Sequence, residues 1–329
     1  MLYQTPKNDL PTRFDASWIE FWRQAFTFHG SITPHILPNV FCVGLISYLI
    51  CLISGYVKQN FGLDLSLEIA PYELTGAALG LLLVLRTNSG YERWWEARKL
   101  WGGIVNQSRN FVINCLNHGP DDDQWRCQIV SWTITFCHTA RHNLRSEKPG
   151  SELVSLIGQS GQEALLTCNH MPSFVAMTMG QLLRKALDSG QMSEFAFIQA
   201  DRERCLLIDH VGGCERIQKT PLALAYSIKI RRFISIFLFT LPFALTHQLN
   251  SDWLVPLVVM LVAYPLFSLD QLGVELQEPF SIQNLGHLPL GSICDTIEDN
   301  LLSLQGDYFK VENLAKAQLQ LSLPSCQIR

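Results

Sequence analysis

Hydrophobic and polar residues fall along this chain in long blocks, and four of the apolar blocks are nearly free of charge. Ile36–Val57 runs for 22 residues without Asp, Glu, Lys or Arg. At 1.5 Å per residue that length crosses the roughly 30 Å core of a bilayer. Ile69–Leu85 is the second block, broken only by Glu73 near its start. Phe233–Leu249 and Leu254–Leu269 are the third and fourth, separated by Asn250, Ser251, Asp252 and Trp253. This last pair predicts a helical hairpin. A hairpin buried in a soluble core is the competing reading for it.

Basic residues flank the blocks unevenly. Lys7, Arg13 and Arg23 precede the first, whereas only Lys58 lies between the first and second. Arg86, Arg93, Arg98 and Lys99 follow the second; Lys229, Arg231 and Arg232 precede the third; the turn between third and fourth has no Lys or Arg. Cytosolic connections carry the excess of Lys and Arg, so both termini and the long middle region are expected in the cytosol. The chain then divides into a cytosolic N-terminal segment (1–35), spans 1 and 2 (36–86, with helices near 36–57 and 69–86), a cytosolic helical domain (87–228), spans 3 and 4 (229–270, with helices near 233–249 and 254–269), and a cytosolic C-terminal segment (271–329). In the middle region Arg93–Phe111, Gln124–Arg141 and Gly180–Ile198 show the apolar spacing of helices, and Gly119-Pro120-Asp121 and Lys148-Pro149-Gly150-Ser151 read as loops. The tail, with Pro279 and Pro289, holds a short helix near Leu314–Leu321. Strand-like alternation is scarce, so the expected fold class is an all-α membrane protein: four transmembrane helices plus a helical cytosolic domain.

Composition supports this. Of 329 residues, 48% are hydrophobic and 16% charged, well below the quarter usual in soluble domains. The net charge of −4 gives no pull toward nucleic acid. Ten cysteines include no C-x-x-C pair; Cys42 and Cys51 sit in the first span, and Cys115, Cys127, Cys137, Cys168, Cys205, Cys214, Cys294 and Cys326 are scattered. They read as reduced thiols. Cys168 and His170, with His138 and His142 nearby in sequence, are candidate metal ligands, but zinc spacing is missing and no metal or other cofactor is expected. The N-terminal region shows no small-residue cleavage pattern, so the first span is expected to remain.

The second span carries the most information. Ala77, Leu81 and Leu85 recur every fourth residue and stack along one helix face. Gly76 and Gly80 form a small-xxx-small pair that lets a neighbouring helix approach. Glu73 sits at the outer end. A stripe of this kind fits a protein- or lipid-packed helix as well as a pore lining. After it comes a segment dense in Arg and Trp, with Tyr91, Trp94, Trp95, Arg98 and Trp101 near one face, suited to the membrane interface or to packing.

Here the chain resembles a known family. The pattern R-x-N-x-x-Y-x-R-W-W-E-A-R-K-L-W-G, with Arg93, Trp94, Trp95 and Glu96 at its centre, is similar to the signature that follows the pore helix in bestrophins. Gly213-Cys214-Glu215-Arg216-Ile217 with Thr220-Pro221 and Tyr226 looks like the family's block before the third span. Glu278-Pro279-Phe280 with Asn284 and Leu288-Pro289-Leu290 resembles the segment after the fourth. The blocks arrive in family order, so the resemblance covers nearly the whole chain. It implies a homopentamer in the lipid bilayer, with five copies of the second span around a narrow neck that passes monovalent ions, chloride or similar anions favoured. Counting back from Arg93 as in the family returns Leu85, Leu81 and Ala77 as the neck. A cytosolic constriction is expected on a helix before Gly213, with Phe195 or Ile198 to supply it.

The chain departs from the eukaryotic pattern at Ser281–His287, which has no acid where the family's calcium-binding cluster lies. Calcium gating there is not supported. Ala77 also stands where bulkier neck residues are usual. Charge for selectivity would come from Glu73 at the mouth and Arg86 toward the vestibule, which leaves a cation-selective channel as the alternative. A secondary transporter would show related halves, and none is evident, although Pro242, Pro256 and Pro265 interrupt the last two spans. No catalytic motif is present, so an enzyme is not expected; His247 reads as an outer-end residue. The expected setting is a bacterial inner membrane, and the topology fits some organellar membranes as well.

Overall fold

The computed structural model describes residues 18–322 apart from 29, 250 and 252. Expectations resting on Lys7, Arg13, Asn250, Asp252 and Cys326 lie outside the described residues. These form ten α-helices and one 3-10 turn, with no strand among them. The helices are α1 (Trp18–Ala25), α2 (Thr33–Phe61), α3 (Ala70–His118), α4 (Asp123–Arg145), α5 (Val154–Thr167), α6 (Met171–Asp188), α7 (Glu194–Lys219), α8 (Leu224–Gln248), α9 (Leu254–Glu275) and α10 (Leu290–Ser322). Backbone contacts divide the chain into two units. One comprises Met1–Leu83 and Arg231–Leu272, the other Val84–Ile230 and Gly273–Arg329.

In the first unit α2 opens with Pro34 in its first turn and stops where Gly62, at φ 67°, donates its N–H to the Lys58 carbonyl. That left-handed stop is one that glycine adopts without strain. Small residues let helices close up: a Cβ on Gly44 would run into Met260 of α9, and one on Gly76 would meet Phe237 of α8 at 3.3 Å. Gly80, the other half of the small pair, has open space around it. Among the described residues two helices, α2 and α9, are long and apolar enough to cross a membrane. Glu73, Gly76, Gly80 and Arg86 dilute the apolar stretch of α3, as Arg231, Arg232, His247 and Gln248 dilute that of α8, and neither passes the same test. Because α8 begins at Leu224, the basic residues Lys229, Arg231 and Arg232 lie inside it, not ahead of it.

The second unit has a conventional core. Trp101, Ile104 and Phe111 of α3, Ile129, Ile134 and Phe136 of α4, Val175 and Met179 of α6, Leu207 and Val211 of α7, and Ile297 and Leu301 of α10 are all buried together. Burial of this apolar surface is the main force holding the unit together. Polar caps set the helix starts. Asp122 accepts from the Gln124 N–H at 2.9 Å for α4, and Ser193 accepts from the Ala196 N–H at 3.2 Å for α7. Arg126, almost fully buried, pairs with Asp121 at 3.0 Å and Asp123 at 3.3 Å and lies 4.9 Å from the Tyr308 ring centroid.

Three helical boundaries differ from the sequence expectation. The second span and Arg93–Phe111 are one 49-residue helix, so the expected boundary at 86/87 falls inside it. Ser89 Oγ bonds back to the Leu85 carbonyl (3.0 Å) and Asn88 to Glu92 (3.2 Å), so the Asn-Ser-Gly sequence stays helical. Gly90 belongs there because a Cβ would meet the Gly273 carbonyl oxygen and Leu276 Cβ, each at 3.1 Å. Gly180–Ile198 is two helices, α6 and α7, broken at Gly190 with φ 71°. The short tail helix is the end of the 33-residue α10.

Candidate functional site

Helix α3 sorts its side chains onto two faces. Leu79, Leu83, Arg86 and Gly90 point into the protomer; Leu79 is 1% and Leu83 0% exposed. On the opposite face Ala77, Leu81 and Leu85 are exposed, Leu81 at 62% and Leu85 at 51%. Glu73 is exposed one turn before this stripe. The three neck candidates therefore share a face, and that face is unoccupied within one protomer. An apolar ridge left bare in this way has to meet lipid, a second copy or a dewetted conduit.

Arg86 does not join them. Its side chain is 1% exposed and lies along Gly273, where a Cβ would come within 3.4 Å of Arg86 Cγ. The expectation that Arg86 supplies charge to a vestibule is corrected: the residue is an interior one, its guanidinium packed within the fold. Charge alone assigned it to the surface, whereas the missing side chain at Gly273 gives it room inside.

About two turns further along α3, at Arg93, the sequence blocks meet. Arg93 Nη2 donates to the Ile217 carbonyl at 2.6 Å, Nη1 to the Thr220 carbonyl at 2.7 Å, and Nε to the Gln277 carbonyl at 3.4 Å. Carbonyls at the C-terminal end of α7 lack helical partners, and a fork of fixed N–H donors satisfies several at once. Trp94 Nε1 donates to the Gly286 carbonyl at 2.7 Å, and Arg216 donates to Glu96. The Arg93–Glu96 block thus holds the end of α7 and the segment after α9. Trp95, with Tyr91, stays half exposed, and the Tyr91, Trp94 and Trp95 rings are stacked at centroid distances of 6.3–6.5 Å.

The second block has its own polar centre. Glu215 accepts from Asn143 at 2.7 Å and from Lys219 at 3.1 Å, and its Oε1 also pairs with His170, the cap of α6. Burial raises the Glu215 carboxyl, but the hydrogen bonds from His170 and Lys219 outweigh it and hold it below the usual glutamate range. Cys214 beside it is buried and its thiol is pushed up to about 12 by desolvation, which makes it inert. Gly213 lets Leu100 pack close, its methyls lying about 3 Å from where a Cβ would stand. Pro221 lies just past the end of α7, and Phe280 of the third block is buried at 3%. Pro279 accepts from the Leu288 N–H at 2.7 Å, closing the loop that Phe280 anchors.

Phe195 and Ile198, expected at a cytosolic constriction, open α7 on one exposed face at 87% and 62% exposure. Among the described residues there is no cluster of His, Cys, Asp and Glu that would hold a metal ion. His138 pairs with Glu298 at 3.0 Å and His142 with Glu152 at 3.1 Å, so neither joins Cys168 and His170. His247 is exposed. Sequence reading missed the Arg93 anchor and the Glu215 centre because their partners lie far apart in the chain, 124 positions for Arg93 and Ile217.

Residues 14–303 match the family described as Bacterial/Fungal Bestrophin protein. The chain belongs to the bestrophin family. A voltage-dependent anion channel-forming protein of Synechocystis is 31% identical over 89% of this chain and 94% of that one. The protein of that description from Escherichia coli K12 is 30% identical over 87% and 91%. A crystal structure of a bacterial bestrophin homologue from Klebsiella pneumoniae superposes with a TM-score of 0.75 at 30% identity, covering 82% of this chain and 98% of that one. As a bestrophin this is a membrane protein of an ion-channel family, not an enzyme. Its all-helical fold is that of the bacterial bestrophin structures.

Proposed function

We propose that this bestrophin assembles as a homopentamer in the inner membrane and conducts monovalent anions through a neck formed by Ala77, Leu81 and Leu85 of five α3 helices. The observation that carries the reading is the bare apolar ridge on α3, set opposite a fully buried Leu79–Leu83 face. The relatives named as anion channel-forming proteins support the choice of ion. In this reading α2, α8, α9 and the first half of α3 span the bilayer, with both termini cytosolic as the distribution of Lys and Arg demands. A ring of Leu81 and Leu85 excludes water when narrow and so gates without any charge. Ala77 leaves the outer end of the neck wider. Phe195 and Ile198 form the second constriction.

One observation favours a second reading, conduction of cations. With Arg86 buried, Glu73 is the exposed charge next to the stripe, and a ring of acids gathers cations. Recording the purified protein in a planar bilayer across a NaCl gradient decides between them. Anion conduction puts the reversal potential at the chloride side of zero, and Glu73→Gln leaves its sign unchanged. A reversal toward sodium that collapses in Glu73→Gln establishes the second reading.

A further inference from the structure

The first unit holds a polar cavity that the ion path does not use. It has a volume of about 360 Å³ and is lined by Asn39 of α2, Arg231, Ile234 and Ser235 of α8, and Phe267 and Asp270 of α9, with Gln271 beside them. All three helices carry apolar blocks, yet here each contributes a polar side chain. Asp270 is 7% exposed and accepts from Arg231 Nε at 3.0 Å. This ion pair fixes the guanidinium, whose side chain remains 55% exposed and makes no other hydrogen bond among the described residues. Asn39 is exposed and also makes no side-chain hydrogen bond there. Ser235 bonds back to the Arg231 carbonyl at 2.8 Å, on the same helix face.

The position along the helices matters. Asn39 lies six residues from the start of α2, Arg231 seven from the start of α8, and Asp270 five from the end of α9. The Thr33 hydroxyl, in the first turn of α2, lies 3.0 Å from that of Tyr264 in the middle of α9. The cavity therefore lies toward the start of α2 and α8 and the end of α9, which in the proposed membrane placement is where a leaflet's hydrocarbon gives way to its headgroups. An amide and a half-exposed guanidinium on a lipid-facing surface have to be satisfied by something other than hydrocarbon. Lys or Arg pockets between spanning helices at this level take the phosphate of a phospholipid.

The geometry points to a phospholipid-headgroup site in each protomer, in which the phosphodiester is held by the Nη nitrogens of Arg231 and the amide of Asn39, with Asp270 as the positioning residue. The inference rests on the proposed placement of these helix ends at a leaflet boundary and not on ion conduction. Native mass spectrometry of the full-length protein, delipidated in mild detergent and titrated with phosphatidylglycerol, tests it; phosphatidylethanolamine and inorganic phosphate are titrated in parallel. The expected result is one retained phospholipid per protomer of either headgroup, not displaced by inorganic phosphate. Arg231→Gln weakens retention about tenfold, a charge-assisted hydrogen bond being lost. Asn39→Leu, which leaves the Arg231–Asp270 pair intact and serves if the first variant fails to assemble, weakens it about fivefold. Equal retention by Asn39→Leu and wild type overturns the site, as does inorganic phosphate competing with lipid, which makes it a free-anion site. Formation of a cross-link between two copies of Asn39→Cys overturns it in favour of a subunit contact. Currents from the wild type and Asn39→Leu in planar bilayers are read separately: their absence in both defeats the channel reading and leaves the lipid titration to stand on its own.

Discussion

The two halves of α3 use the same helix in opposite ways. From Ala70 to Leu85 both faces are apolar: Leu79 and Leu83 are buried while Leu81 and Leu85, equally greasy, are bare. From Glu92 to His118 the helix sorts largely by polarity, with Ala97, Trp101, Ile104 and Phe111 inside and Glu92, Arg98 and Lys99 outside. Hydrophobicity thus reports burial in the second half and does not report it in the first. That is what a change of surroundings along one helix produces, since lipid or a dewetted neck tolerates exposed leucine and water does not. The second half is also pinned by polar bonds, those of Arg93 and Trp94, where the first relies on close packing around Gly76.

The largest effect that tests this contrast lies in the first half. Leu83→Ala should lower stability by about 3 kcal/mol through the cavity it leaves, whereas Leu81→Ala, two residues away, should change it by less than about 0.5 kcal/mol. Thermal unfolding in one detergent compares the pair, and equal losses would erase the distinction between the faces. In the second half Arg93→Gln should lower stability by about 2 kcal/mol, because the carbonyls of Ile217 and Thr220 lose a charged donor. The same unfolding experiment checks it; an unchanged midpoint would show that the second half needs no polar anchor.

A smaller effect concerns pH. The Glu215 carboxyl is held below its ordinary value in the folded protein. Its contribution is therefore complete above the ordinary glutamate value and is lost as pH falls through the lower folded value. Glu215→Gln should be about 1 kcal/mol less stable at neutral pH and should approach the wild type as the solution is acidified through that window. A gap that stays constant on acidification would remove Glu215 from the account.

The all-helical fold was legible because apolar spacing needs only local pattern. The stripe at Ala77, Leu81 and Leu85 was legible as well, by its spacing and by the family count from Arg93. What stayed hidden depends on distant partners. The boundary expected at 86/87 lies inside one helix, and the need for glycine at position 90 comes from Gly273 and Leu276, which lie against it from far along the chain. Arg86 reads as a surface charge until the gap at Gly273 is seen. Glu215 gives no local sign of Asn143 and His170, and α10 hides its length behind a tail of mixed composition.

The central claim, that the bare ridge of α3 faces the ion path, is tested most directly by planar-bilayer recording of the double variant Leu81→Ala with Leu85→Ala. Shortening both side chains in a ring of five widens and wets the neck, so basal current should rise well above that of the wild type at the same protein density. Current equal to the wild type would contradict the account and assign the ridge to lipid or to packing.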